Sequence, residues 1–141
     1  MNNMRCFDVN SSTLGHFAVD FAWNNGHQNI VLMLLMASSR FPKNFDPTAA
    51  TPEITNLVEF IENLHASIVI NDIQSVMTLL NDNVNLQHYY GTDNISALAK
   101  AMMNNNIQIT NLLMSRNITV GSHERFFVDD QGFFRVLITD Y

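Results

Sequence analysis

One cysteine, Cys6, stands among 141 residues, so no disulfide can form within the chain. That usage fits a reducing compartment. Glycine is nearly as scarce, at five residues, and no pair of them has the spacing of a phosphate-cradling loop. There is no Gly-x-Ser-x-Gly element, which removes the nucleophile elbow of an α/β-hydrolase. The longest uninterrupted apolar run, Ile30 to Ala37, is eight residues, whereas a membrane span needs about 20. Met1 to Ser12 is polar and lacks the apolar centre of a signal peptide. The expectation is an intracellular protein, cytoplasmic or nuclear, with no membrane span.

Charge is also thin. Asp, Glu, Lys and Arg make up 14% of the chain, against roughly 25% in an average soluble protein. The surface must therefore lean on neutral polar groups, Asn above all, and some apolar surface is left for a partner or for neighbouring sequence. The 13 Asp and Glu outnumber the 7 Lys and Arg, for a net charge of −6. Between Lys43 and Lys100 there is no cation, while Asp46, Glu53, Glu59, Glu62, Asp72, Asp82 and Asp93 all fall there. A phosphate backbone is repelled by such a stretch, so nucleic acid is excluded as the expected partner and a basic protein or peptide is favoured. An ordinary solvated acidic face is the plain alternative.

What is abundant is apolar: 47% of the residues, enough for a core. These residues recur in three similar segments, Val19 to Leu35, Leu64 to Leu80 and Leu98 to Leu113. Each reads as a short apolar-and-small helix, a polar break, and a second helix ending in a Leu-Leu pair. Leu64 and Leu98 are 34 residues apart, as are Asp72 and Asn106. The first interval is longer by the stretch Phe41 to Pro52, which holds all three prolines and reads as an inserted loop.

The segments resemble ankyrin repeats, whose period is 33 residues. Leu64-His65 matches the end of that family's Thr-Pro-Leu-His element, and Ser96-Ala97-Leu98 stands where Thr-Pro-Leu would. Asn25-Gly26-His27 with Ile30-Val31 and Leu34-Leu35 matches the inter-helix turn and second helix, as does Asn71-Asp72 with Val76 and Leu79-Leu80. No repeat keeps the whole Thr-Pro-Leu-His, Thr13-Leu14-Gly15-His16 comes three residues early, and Asn105-Asn106 replaces Gly-His. The resemblance covers residues 13 to 121. It implies a mainly all-α, ankyrin-like solenoid of helical hairpins in one domain: repeat one about 13–39, inserted loop 40–52, repeat two 53–86, repeat three 92–120 and a C-terminal cap about 122–141.

Periodicity supports helices independently. Ile54, Leu57, Val58, Ile61, Leu64 and Ile68 form one stripe, with Thr51 as cap and Pro52 in the first turn. Asp72, Asn94 or Ser96, and Asn106 are the expected caps of later helices. Small residues Ala22, Ser67 and Ala101 stand where paired helices must approach. Phe126-Phe127-Val128 and Phe133 to Ile138 flank Asp129-Asp130-Gln131-Gly132, which predicts a short β-hairpin, with a capping helix as the second choice.

Chemistry-bearing constellations are weak. Among His16, His27, His65, His88 and His123, only His16 pairs at helical spacing with an acid, Asp20, and no third ligand follows at zinc-like spacing. The resemblance gives His27 and His65 turn hydrogen bonds instead. Cys6 lacks a positioned base. Met33, Met36, Met77, Met102 and Met114 are read as core filler, and Glu59 and Glu62 as solvated charge. Neither catalysis, cofactor nor metal is expected.

The favoured function is a non-enzymatic protein–protein interaction module; the alternative is a recognition or oligomerisation domain of a larger enzyme or effector. The connector carrying Gln87, His88, Tyr89, Tyr90 and Asp93 corresponds in the family to a partner-meeting finger. Tyrosines suit contacts, being large, stiff and amphipathic; one of the pair is expected to be buried and the other available. Asn24, Val69 and Met103 align at a position that, by the resemblance, lines the concave face. The Phe-rich C-terminal segment is a route to homo-oligomers.

Overall fold

The computed structural model describes residues 15–82, 85–121, 124–132 and 134–138, and it is mainly helical. Thr13, Leu14, Cys6 and His123 lie outside the described residues. The helices are α1 (Gly15–Asn24), α2 (Gln28–Met36), α3 (Pro52–Val69), α4 (Ile73–Leu80), α5 (Ala97–Met103) and α6 (Ile107–Ser115). Two strands follow, β1 (Glu124–Val128) and β2 (Phe134–Ile138), paired antiparallel with Glu124 opposite Ile138 and Val128 opposite Phe134.

The helices fold back in consecutive pairs through one repeated turn. Gly26, Asn71 and Asn105 hold left-handed φ values of 74°, 60° and 56°. Glycine adopts that region freely, and asparagine tolerates it better than most residues. After each, the amide of His27, Asp72 or Asn106 donates to the carbonyl of Ala22, Ser67 or Ala101, at 2.8, 2.9 and 3.0 Å. These bonds satisfy the carbonyls that a helix end leaves open. The turn works without the Gly-His pair because its requirement is a backbone conformation that Asn also meets.

Capping follows expectation at two helices and departs from it at two. Asp72 accepts from the Ser75 amide, and Ser96 from that of Ala99. Thr51 makes no side-chain cap; Pro52 sets the first turn of α3, and the Thr51 amide donates to Gln28 Oε1 at 2.7 Å. Asn106 likewise makes no cap bond, because its Nδ2 donates to the Ile68 carbonyl at the end of α3. It ties the third pair to the second.

Stacking has a direction. Counting from the turn, Val31 and Leu35 of α2 correspond to Val76 and Leu80 of α4, and all four are buried. Their counterparts on α6 are Thr110, half-buried, and Met114, 57% exposed; α6 buries Ile109 and Leu113 instead, and it packs on α5 and α4. The buried side of α6 thus differs from that of α2 and α4. Arg116 adds two bonds to the end of α4, at Leu80 O and Asn81 Oδ1.

The segment between α2 and α3 is packed. A short 3₁₀ turn spans Pro47–Ala49, and Asp46 Oδ1 accepts from Thr48. Phe45 lies 4.9 Å from Trp23 and 5.1 Å from buried Phe41, measured between ring centres. Gln28 bridges to Ala49 and Thr51, and Asp20 accepts from the Lys43 amide at 2.8 Å. The helical stripe on α3 is buried throughout, and Ala22 and Ala101 are buried with it.

The methionines correct a sequence expectation. Met33, Met36, Met77 and Met114, read as core filler, are exposed, while Met102 alone of that group is half-buried. They sit off the apolar stripe, where Val, Ile and Leu already fill the volume.

Candidate partner-binding surface

The connector 85–96 leaves α4 and returns to start α5. It is pinned from three sides. The Gln87 amide donates to Ser38 Oγ, and its carbonyl accepts from the Thr119 amide, each at 2.9 Å. His88 Nδ1 lies 2.8 Å from the Thr119 carbonyl. Asn94 Oδ1 accepts from the Phe41 amide at 2.8 Å. The connectors of successive pairs are therefore stitched together side by side.

Both tyrosines are buried, at 2% exposure each, which overturns the expectation of one free contact residue. The cause is the backbone. Tyr89 has a φ of 52°, an uncommon conformation for a bulky residue. Its carbonyl is held 2.7 Å from His65 Nε2, and its ring packs 6.3 Å from that of Phe60. Tyr90 points inward beside His88, with ring centres 5.3 Å apart. Neither presents a surface to a partner.

Polar groups around the connector are likewise committed. Asp93 Oδ2 accepts from Lys100 Nζ at 2.5 Å, and Asp93 Oδ1 from the Ile95 amide at 3.1 Å. Burial pushes the Asp93 carboxyl up, but Lys100 and the Ile95 amide outweigh it and hold it below the usual carboxylate range. Glu62 accepts from the Thr92 amide at 3.0 Å. Gln87 and Asp93 are exposed and His88 is half-buried.

Gly91 is required by close approach. A Cβ there would stand 2.9 Å from Asp93 Oδ1 and 3.2 Å from the buried His65 ring. Asp93 can swing away, but His65 is fixed by its bond to Tyr89. Gly91→Ala is therefore expected to cost about 1–3 kcal/mol, as overpacking does, read as a lower urea midpoint at unchanged m-value.

His65 gives the fold a pH dependence. Burial foremost lowers its pKa below 6.5, helped by the charge of Lys100, with the Tyr89 carbonyl and nearby acids acting against. The unfolded chain therefore binds the proton more readily. Stability is full above pH about 6.5 and falls as pH drops below it, by at most about 1.4 kcal/mol per unit for one proton. His65→Gln should flatten that slope in urea titrations between pH 7.5 and 5.5. Hydrogen bonds from Ser75 to Asp72, and those to Asp93 above, hold both carboxyls below 3.8, so their contribution is lost only as pH falls below that value.

Asn24, Val69 and Met103 are the last residues of α1, α3 and α5, and all three are exposed. Val69 is 53% and Met103 40% exposed. The connector sits at the opposite end of the first helices; along seven-residue α5 that separates the two sets by about 10 Å. Sequence reasoning missed Phe21 and Ile70, 66% and 71% exposed. Phe21 is out of phase with buried Val19 and Ala22 on α1, and Ile70 caps α3 out of phase with its buried stripe; that phase was the available signal.

Among the described residues no group of three His, Cys, Asp or Glu could hold a metal ion, and no helix is long and apolar enough to cross a membrane. His27, expected to bond its turn, makes no side-chain cap bond. No protein-family model, curated protein or solved structure matches the chain.

Proposed function

We propose that this chain is a non-enzymatic, ankyrin-like array of three helical hairpins that holds a segment of another protein inside the cell, in cytoplasm or nucleus. The supporting observation is the repetition of one exposed position: Asn24, Val69 and Met103 close the three first helices after the same count of residues from the same turn. A row of this kind offers regularly spaced apolar and amide contacts to one extended segment, as repeat arrays do. The cation-free stretch between Lys43 and Lys100 favours a basic segment.

The test uses surface positions only. Val69→Glu with Met103→Glu leaves the core untouched, so the melting temperature should stay within experimental error. Affinity capture with wild type should yield a partner whose binding segment, made as a peptide, binds wild type and loses at least tenfold with the double variant. Equal affinity of both proteins for that peptide would refute this surface.

A further inference from the structure

The outer face of the β1–β2 ribbon combines cations with large apolar side chains. Alternate strand residues share a face, so Arg125 lies with Phe127. The register sets Leu137 opposite Arg125 and Arg135 opposite Phe127, which puts all four on one side. Arg125 is exposed, Phe127 is 51% and Leu137 56% exposed, and the Arg135 side chain 57%. Arg135 uses Nε on Asp129, which leaves its other guanidinium donors for further bonds. Two of the chain's seven Lys and Arg thus meet on one small patch of an acidic protein. Arg beside an aromatic is what interfaces are enriched in.

A complementary surface lies on the second helix pair. Glu59 is exposed on α3. Asn63, one turn beyond Glu59 on the same side, borders a groove of about 510 Å³ whose walls include Ala66, Ile70 and Leu79.

We propose that the ribbon face of one copy docks in the α3–α4 groove of a second copy. Phe127 and Leu137 enter against Ala66, Ile70 and Leu79, while Arg125 and Arg135 meet Glu59. The two surfaces differ, so the contact is heterologous and copies add head to tail. It uses different residues from the partner surface proposed above, and either reading can fail alone.

Sedimentation velocity over a concentration series tests it. Wild type should form species larger than a dimer at low salt and shrink toward monomer at high salt. Arg125→Glu/Arg135→Glu, Phe127→Ser/Leu137→Ser and Glu59→Lys should each stay monomeric, yet an equimolar mixture of the serine and lysine variants should give a dimer that grows no further, because it contains one intact ribbon and one intact groove while the other ribbon keeps its arginines and is repelled by the lysine groove. Should the serine variant lose its helical circular dichroism, Arg125→Ser/Arg135→Ser takes its place in the mixture, since a neutral ribbon does not complement a lysine groove. A wild type monomeric at every concentration, an arginine variant that assembles like wild type, or a mixture of folded variants that stays monomeric overturns the proposal. So does wild type that binds phosphatidylserine vesicles without self-association, which would make the ribbon a membrane-facing surface.

Discussion

Tyr90→Ala is expected to destabilise the fold by about 3–5 kcal/mol, the range for truncating a buried aromatic. For a chain of this size that lowers the melting temperature by roughly 10–20 °C. The ring is 2% exposed and lies beside His88, which is itself bonded to Thr119 beyond α6. Removing it opens a cavity at the junction of the second and third helix pairs, where the connector also receives the Gln87 and Asn94 bonds. Tyr90→Phe keeps the ring and should cost only about 1 kcal/mol. Thermal denaturation of the three proteins checks this. If Tyr90→Ala melted within a few degrees of wild type, the inward placement of the ring would be wrong. Loss of partner binding in Tyr89→Ala or Tyr90→Ala would consequently report unfolding rather than a lost contact, so the binding test belongs on Val69 and Met103.

The difference between Tyr90 and Val69 shows what the sequence could and could not reveal. The buried stripe of α3, the caps at Asp72 and Ser96, and the three helix pairs are local matters of period and hydrogen-bonding side chains, and they are legible residue by residue. The end position shared by Asn24, Val69 and Met103 is legible too, since it is fixed by counting from a turn. The connector is different. Its course depends on Tyr89 taking a left-handed conformation and on His65, 24 residues earlier, holding the Tyr89 carbonyl. No local pattern encodes that bond, and two adjacent tyrosines suggest exposure to any reading based on residue type. Asn106 fails for the same reason: as a cap it is a local prediction, but its amide is taken by Ile68, 38 residues away. Long-range polar bonds decided each of these cases.

Glu124→Gln is expected to release the C-terminal ribbon from the helices at a cost of about 2–3 kcal/mol, the worth of hydrogen bonds to a charged group. Glu124 is 5% exposed. Its Oε2 accepts from the Ser96 amide at 2.8 Å, and its Oε1 from Ser96 Oγ at 2.6 Å and from the Gly121 amide at 2.8 Å. All three partners donate, so a carboxylate fits and a carboxamide does not: its NH₂ must face an N–H wherever it is turned. Glu124→Ala removes that conflict but strands the Ser96 and Gly121 amides, and should cost a similar amount. Because β2 packs on α5, the loss should spread unevenly. Amide exchange should quicken in 124–138 and in α5, while α3 and α4 keep their protection. Protection of the ribbon equal to that in wild type would mean that Glu124 does not secure it. The same substitution separates the ribbon's two roles. Arg125, Phe127, Arg135 and Leu137 remain in the chain, but their common face is no longer held against the array, so head-to-tail assembly should weaken although every docking residue is intact.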